Sequence, residues 1–240
     1  MRRRPRLAGE LLVVLCLLVV YDWVASQSRA TPSAAYAHGR TMLGLTPGGG
    51  LELRADHWLA GVGWLQDPAS YYYDLAHINV TMVALLACWW WRPAVYRQAR
   101  NALVLVNVVG LVVFFLYPVA PPRLLPGAGF VDIVADSGTW GAGNGAVQHP
   151  NEYGSMPSLH TAWAVWVALT VMVMTTSKRW RALGWLHVVL TVFFVIVTGN
   201  HYVVDVVAGV ATVAVTWLLS QRLPRFPAAA VEGERTMVES

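Results

Sequence analysis

The chain has 240 residues, 56% of them apolar and only 12% charged, about half the charged fraction of roughly 25% that soluble domains carry. That balance excludes the soluble globular and disordered classes and reads as a membrane protein. The formal net charge of +4 does not mark a nucleic-acid binder, because the cations sort by position along the chain instead of forming one basic patch.

Six apolar runs follow in chain order, at 7–24, 75–91, 102–117, 158–175, 183–198 and 202–219. Each approaches the roughly 20 residues a helix needs to cross a hydrocarbon core about 30 Å thick. The pattern predicts an all-α, polytopic integral membrane protein with about six transmembrane helices. It forms a single membrane-embedded domain over 1–226, with a short polar, disordered tail at 227–240. The first run has a basic start and small residues at Ala25 and Ser26, which also suit a cleaved signal segment. Its length and the lack of an A-x-A site directly at its end favour a span. Cys16 and Cys88 lie in separate runs without Cys-x-x-Cys spacing, so neither suggests a disulfide framework or redox chemistry.

Thirteen of the seventeen cations fall on one side of these runs: Arg2, Arg3, Arg4 and Arg6 before the first, Arg92, Arg97 and Arg100 after the second, Lys178, Arg179 and Arg181 after the fourth, and Arg222, Arg225 and Arg235 after the sixth. The positive-inside rule makes that side cytoplasmic, with both termini there. The plasma membrane is the expected location. Arg29, Arg40, Arg54 and Arg123 remain for the opposite, extracytoplasmic side.

Two long connections lie on that side. The first, about 27–73, contains LELRADHWLAGVGWL, in which Leu53, His57, Ala60 and Trp64 recur at helical spacing beside Glu52, Arg54 and Asp56. This predicts a helix lying in the membrane interface on that apolar stripe. Tyr73 and His77, four apart at the end of the second run, read as an interfacial pair, with a place in a lipid headgroup pocket as the alternative. The second connection, 118–157, opens with PVAPPRLLPGAG and continues through GTWGAGNGAVQHPNEYGSM. Its prolines and glycines rule out long regular elements, and loops of that length are more often functional than idle.

The chemistry-bearing residues cluster at the ends of the last three runs. His160, in GSMPSLHTAW, and His201, in TGNHYVVDVVAG, are 41 residues apart, the length of two crossings, so both return to the same face. Asp205 follows His201 by four residues and shares its helical face, where a carboxylate fixes the tautomer of an imidazole and raises the basicity of its outward nitrogen. Pro157 and Ser158 mark a helix start whose amides, at Ser158, Leu159 and His160, form an anion site aided by the helix dipole. Arg123, in its proline-stiffened segment, offers a bidentate clamp on a phosphate. Substrate phosphate contacts are therefore expected at Arg123, Ser158 and Leu159, with His201, His160 and Asp205 catalytic.

At these residues the chain resembles the type 2 phosphatidic acid phosphatase superfamily, and within it the branch of inositol phosphorylceramide synthases and sphingomyelin synthases. GSMPSLHTA resembles the second motif of that superfamily and GNHYVVDVVAG the third, in the H-Y-x-x-D form of the branch. The likeness spans about 118–219, which would be the catalytic part. It implies that His201 is the nucleophile, Asp205 its orienting partner and His160 the acid that protonates the leaving group. Two features depart from the pattern. The first motif pairs a lysine with an arginine, yet the one lysine here is Lys178, on the other side, leaving Arg123 alone. An arginine expected before the third-motif histidine is replaced by the apolar FFVIVTG, so Arg54 or His149 becomes a candidate for extra phosphate contact.

The expected function is a membrane phosphatase or phosphotransferase that acts on a phosphorylated lipid at the outer leaflet through a phosphohistidine. Water as acceptor makes it a phosphatase; a lipid or inositol hydroxyl makes it a headgroup phosphotransferase of the inositol phosphate type. The same three residues serve both. A non-catalytic lipid transporter is the rival of a different class, which broken helices at symmetric positions would favour. No cofactor or metal is expected, since an i, i+4 histidine and aspartate without a further strong ligand is a weak zinc set. The expected partners are the lipid substrate and the membrane, with no nucleic acid; nothing in the sequence fixes an oligomeric state.

Overall fold

A computed structural model describes residues 7–28, 32–46, 50–137 and 151–222. Among them the chain forms helices α1 (Leu7–Ser28), α2 (Pro32–Leu45), α3 (Leu51–Ala60), α4 (Gly63–Tyr71), α5 (His77–Trp91), α6 (Pro93–Leu116), α7 (Ile133–Asp136), α8 (Leu159–Met174), α9 (Lys178–Val197) and α10 (Val203–Arg222). A π-helical turn, Tyr72–Ala76, joins α4 to α5 without a break. A single parallel bridge between Val119 and Gly154 is the only β pairing among the described residues.

The chain is the all-α membrane protein that its composition demands. Among the described residues four helices, α1, α6, α9 and α10, are long and apolar enough to cross a bilayer. Helix α8 is apolar but stops at 16 residues, and α5 has 15, reaching further only through the π-turn and α4. Large apolar side chains such as Leu12, Val83, Leu116, Val189 and Leu218 stand exposed on the outer faces, the surface a lipid-facing bundle presents. The interior is built around α8, which packs against α5, α6, α9 and α10. Its Ala162, Ala164, Val165, Trp166, Val167 and Ala168 are all buried, as a helix apolar on every side requires. The Trp166 indole, enclosed there, donates to the Ala99 carbonyl at 2.8 Å, so no polar atom of that ring is left unpaired.

The two ends of the bundle are closed differently. At one end α5 and α6 are joined by Arg92 alone, with Pro93 in the first turn of α6, where its missing N–H costs nothing. Residues 175–177 join α8 to α9, and the basic residues of this side lie at Arg92 and on the first turns of α6 and α9 that follow, at Arg97, Arg100, Lys178, Arg179 and Arg181. The other end is capped by α2, α3, α4 and the segment 117–137. There the Val119 amide donates to Tyr153 at 2.8 Å, Ser155 donates to Val119 at 3.2 Å and Ala120 donates to Ala35 of α2 at 3.0 Å. The Tyr202 hydroxyl adds a bond to the Ala120 carbonyl at 2.7 Å.

Helix α3 corrects the sequence-based expectation. Its buried face is Glu52, Asp56 and Leu59, not the Leu53, His57, Ala60 and Trp64 stripe, and Trp64 sits beyond the helix in α4, 78% exposed. The charges point inward because they have donors there. Glu52 Oε1 accepts from the Thr46 hydroxyl at 2.5 Å and from the Val203 amide at 3.1 Å, and Asp56 Oδ2 accepts from the Val131 amide at 2.9 Å. Glu52 thereby caps the first turn of α10 from a distant part of the chain, satisfying an orphan amide and favouring the positive end of the dipole.

Candidate active site

His201, Asp205 and His160 come together at the capped end. Asp205 is fully buried and His201 nearly so. The His201 Nδ1 lies 3.4 Å from Asp205 Oδ2. Next to a carboxylate that nitrogen carries the proton, which leaves Nε2 with its lone pair. Nε2 faces His160 Nδ1 at 3.4 Å, so His160 donates across the contact. The lone pair of His201 is thus aimed at the ring of the second histidine and accepts from it, and the two rings meet edge to face at a centroid separation of 5.5 Å.

Backbone geometry makes this meeting possible. Ser158 starts α8, its hydroxyl accepting from the Thr161 amide at 3.3 Å, the cap that Pro157–Ser158 predicts. Its own amide, however, donates to the Asp205 carbonyl at 3.0 Å and its side chain is fully buried. Ser158 therefore locks the start of α8 onto α10 and has no donor left for a phosphate. Leu159 and His160 keep first-turn amides without a protein acceptor among the described residues. Gly209 is what lets the two helices approach, since a Cβ there would overlap the Ser158 carbonyl oxygen.

Arg123 sits beside the third motif. Its amide donates to the Gly199 carbonyl at 2.9 Å, its Nε donates to Asn200 Oδ1 at 2.8 Å and its Nη1 reaches Asp132 Oδ2 at 2.7 Å. Gly199 adopts φ +62°, and a Cβ on it would lie 3.1 Å from Asp56 Oδ1 and 3.2 Å from Arg123 Cβ, so glycine is required on both conformational and steric grounds. Burial pushes the Asp56 carboxyl above the ordinary aspartate range, against the lowering effect of the Val131 amide.

Of the other candidates, Arg54 is exposed on the outer side of α3, turned away from the buried Glu52 and Asp56. His149 lies outside the described residues. Tyr73 and His77 are not a detached interfacial pair: the Tyr73 ring stacks on His160 at 4.4 Å and 21°, and the His77 ring lies 4.0 Å from it.

Sequence reasoning passes over Ser155, Asn200 and Asp132. The Ser155 hydroxyl donates to Asp205 Oδ2 at 2.5 Å, stands 3.4 Å from His201 Nδ1 and lies 3.3 Å from the Asn200 carbonyl. Together with the Tyr202 amide at 3.0 Å it fixes the carboxylate that fixes the histidine. No local pattern marks such a serine; its place depends on the 119–154 bridge.

Residues 45–219 match the family described as the PAP2 superfamily. The chain is similar to a phosphoinositol dihydroceramide synthase of Bacteroides thetaiotaomicron, 24% identical over 236 residues, covering 89% of this chain and 76% of that protein. No solved structure matches. This integral membrane chain, a phosphoric ester hydrolase or transferase with a lipid as its substrate class, belongs to the PAP2 superfamily.

Proposed function

We propose that the chain moves the phosphoryl headgroup of a lipid at the outer leaflet through a phosphohistidine on His201, with an alcohol rather than water as the preferred acceptor. The observation that carries this reading is the lone pair of His201 Nε2, oriented from behind by Asp205 and Ser155 and directed at His160. His201 attacks phosphorus as the bond to the leaving oxygen breaks, and His160, entering this step as the imidazolium, gives that oxygen a proton and is left neutral. The acceptor oxygen then bonds to phosphorus, the P–N bond breaks and the acceptor proton is returned to the protein. Arg123 and the first-turn amides of Leu159 and His160 face the charge that spreads over the equatorial oxygens. For Arg123 to do so, Asp132 must yield part of its hold.

The likeness to a protein named a phosphoinositol dihydroceramide synthase supports alcohol transfer over hydrolysis. The cations of the turn-closed end support an outward-facing site. The test is to incubate purified protein in vesicles with phosphoinositol and simple phosphomonoester lipids, with and without a hydroxylated acceptor lipid. Headgroup transfer that outpaces phosphate release is the expected result. Phosphate release from a monoester lipid, unaffected by acceptor, would overturn the transferase reading. Binding and movement of lipid without any turnover would favour the transporter.

A further inference from the structure

His77 opens α5 directly after the π-helical turn, and π-turns occur frequently at functional sites. Its Nδ1 lies 2.9 Å from the Tyr73 carbonyl. A carbonyl only accepts, so Nδ1 carries the proton and the neutral ring presents a bare Nε2. That nitrogen meets no protein donor among the described residues, on a ring that is half-buried. The ring lies 4.0 Å from His160 and 5.5 Å from Trp163, centroid to centroid. The same device that orients His201, a fixed acceptor behind Nδ1, is repeated on the far side of His160.

A bare imidazole nitrogen repels phosphate oxygens and welcomes an O–H. The second half of the proposed reaction supplies one, since the acceptor must lose its proton as it bonds to phosphorus. We propose that His77 is a third catalytic histidine, the base that takes the proton of the acceptor hydroxyl; this inference rests on the phosphohistidine reading. The acceptor O–P bond forms, the P–N bond to His201 breaks, and the hydroxyl proton goes to His77 Nε2. The imidazolium so formed still donates through Nδ1 to Tyr73. His160, left neutral when it protonated the leaving group, then takes the proton from the adjacent ring, and both histidines are reset with no net proton gained or lost.

The test uses the full-length protein, an aryl ester of the headgroup it transfers and a long-chain alcohol acceptor, with rapid quenching to separate aryl alcohol release from loss of the adduct. Two variants are compared, His77→Phe, which keeps the bulk, and His77→Asn, whose amide still donates to the Tyr73 carbonyl. Both should form the adduct within about threefold of the wild-type rate and lose it about 10²-fold more slowly, so that phosphohistidine accumulates. A more acidic alcohol should recover much of the loss. If His77→Asn discharges the adduct at the wild-type rate, or if its formation and discharge fall together, His77 is packing for His160 and the inference is overturned. Absence of any adduct in the wild type overturns the phosphohistidine reading and this inference with it.

Discussion

The two ends of the bundle are built on opposite plans. One is closed by tight turns and exposed arginines; the other sinks carboxylates, histidines and an arginine beneath three short helices and an irregular segment. At the first end the polar contacts across the chain are few: Arg100 and Tyr96 of α6 both donate to Glu10 of α1, at 2.9 Å each. At the second, many of the polar side chains are held by a partner far away in the chain: Glu52 by Val203, Asp56 by Val131, Ser155 by Asp205 and Arg123 by Asn200. The difference teaches where chemistry is placed in such a protein. Rigid spans bring the helix ends into register, and the cap fixes their side chains to within the tolerance a reaction needs.

The largest effect that would break this comparison is one of sidedness. On a background lacking Cys16 and Cys88, a cysteine at exposed Ala135, in the cap, should react with an impermeant thiol reagent on intact cells, whereas one at exposed Thr176, in the opposite turn, should react only after permeabilisation. The reverse pattern would place the cap in the cytoplasm and remove the outer leaflet from the account.

Next comes the cation that the cap holds. Arg123→Lys keeps the charge but not the planar fork that bonds Asn200 and Asp132 together, and turnover should fall by about 10²-fold, the scale of a 1 Å misplacement. Near-normal turnover in the lysine variant would show that the planar fork of Arg123 is not needed for the reaction. Ser155→Ala should be milder, about tenfold in kcat with KM little changed, because Tyr202 still holds the carboxylate. Rescue by Ser155→Thr would tie the loss to the hydroxyl, and a change confined to KM would contradict the orienting role.

The cap's structural carboxylates should matter to stability more than to rate. Glu52→Ala strands the Val203 amide and the Thr46 hydroxyl, a cost of about 1–3 kcal/mol that should appear as a lower Tm in detergent. Asp56 gives the smallest effect, and its sign is set by its raised pKa. A carboxyl that holds its proton more tightly when folded contributes stability below the unfolded value of about 4, and that contribution is lost as pH rises through the raised folded value. Asp56→Asn should therefore flatten the decline of Tm with rising pH above about 4, while an unchanged slope would show that Asp56 is ionised throughout.

The spans were legible because periodicity and composition are local, and the meeting of His160, His201 and Asp205 was legible because spacing returns two helix ends to one face. Helix α3 was misread for a physical reason: Glu52, Asp56 and Leu59 have the i, i+4, i+7 period of a buried face, but polarity argued for solvent. The donors that make burial tolerable, Val131 and Val203, lie about 75 and 151 residues away in sequence. Ser158 was misassigned for a similar reason, since its amide bonds to Asp205 through an approach that only Gly209 permits. Tyr73 and His77 were seen as a pair, yet nothing local says that they meet His160.

The central claim is that His201 attacks and His160 protonates, and pre-steady-state release of aryl alcohol tests it most directly. The wild type and each alanine variant are mixed with an alkyl and an aryl ester of the same headgroup, and the burst is read for each. The account predicts that His201→Ala loses both bursts, while His160→Ala loses the alkyl burst by about 10² to 10⁴ and keeps the aryl one, whose leaving group needs no proton. Loss of both bursts in His160→Ala, with one surviving in His201→Ala, would reverse the assignment and remove Asp205 and Ser155 from behind the nucleophile.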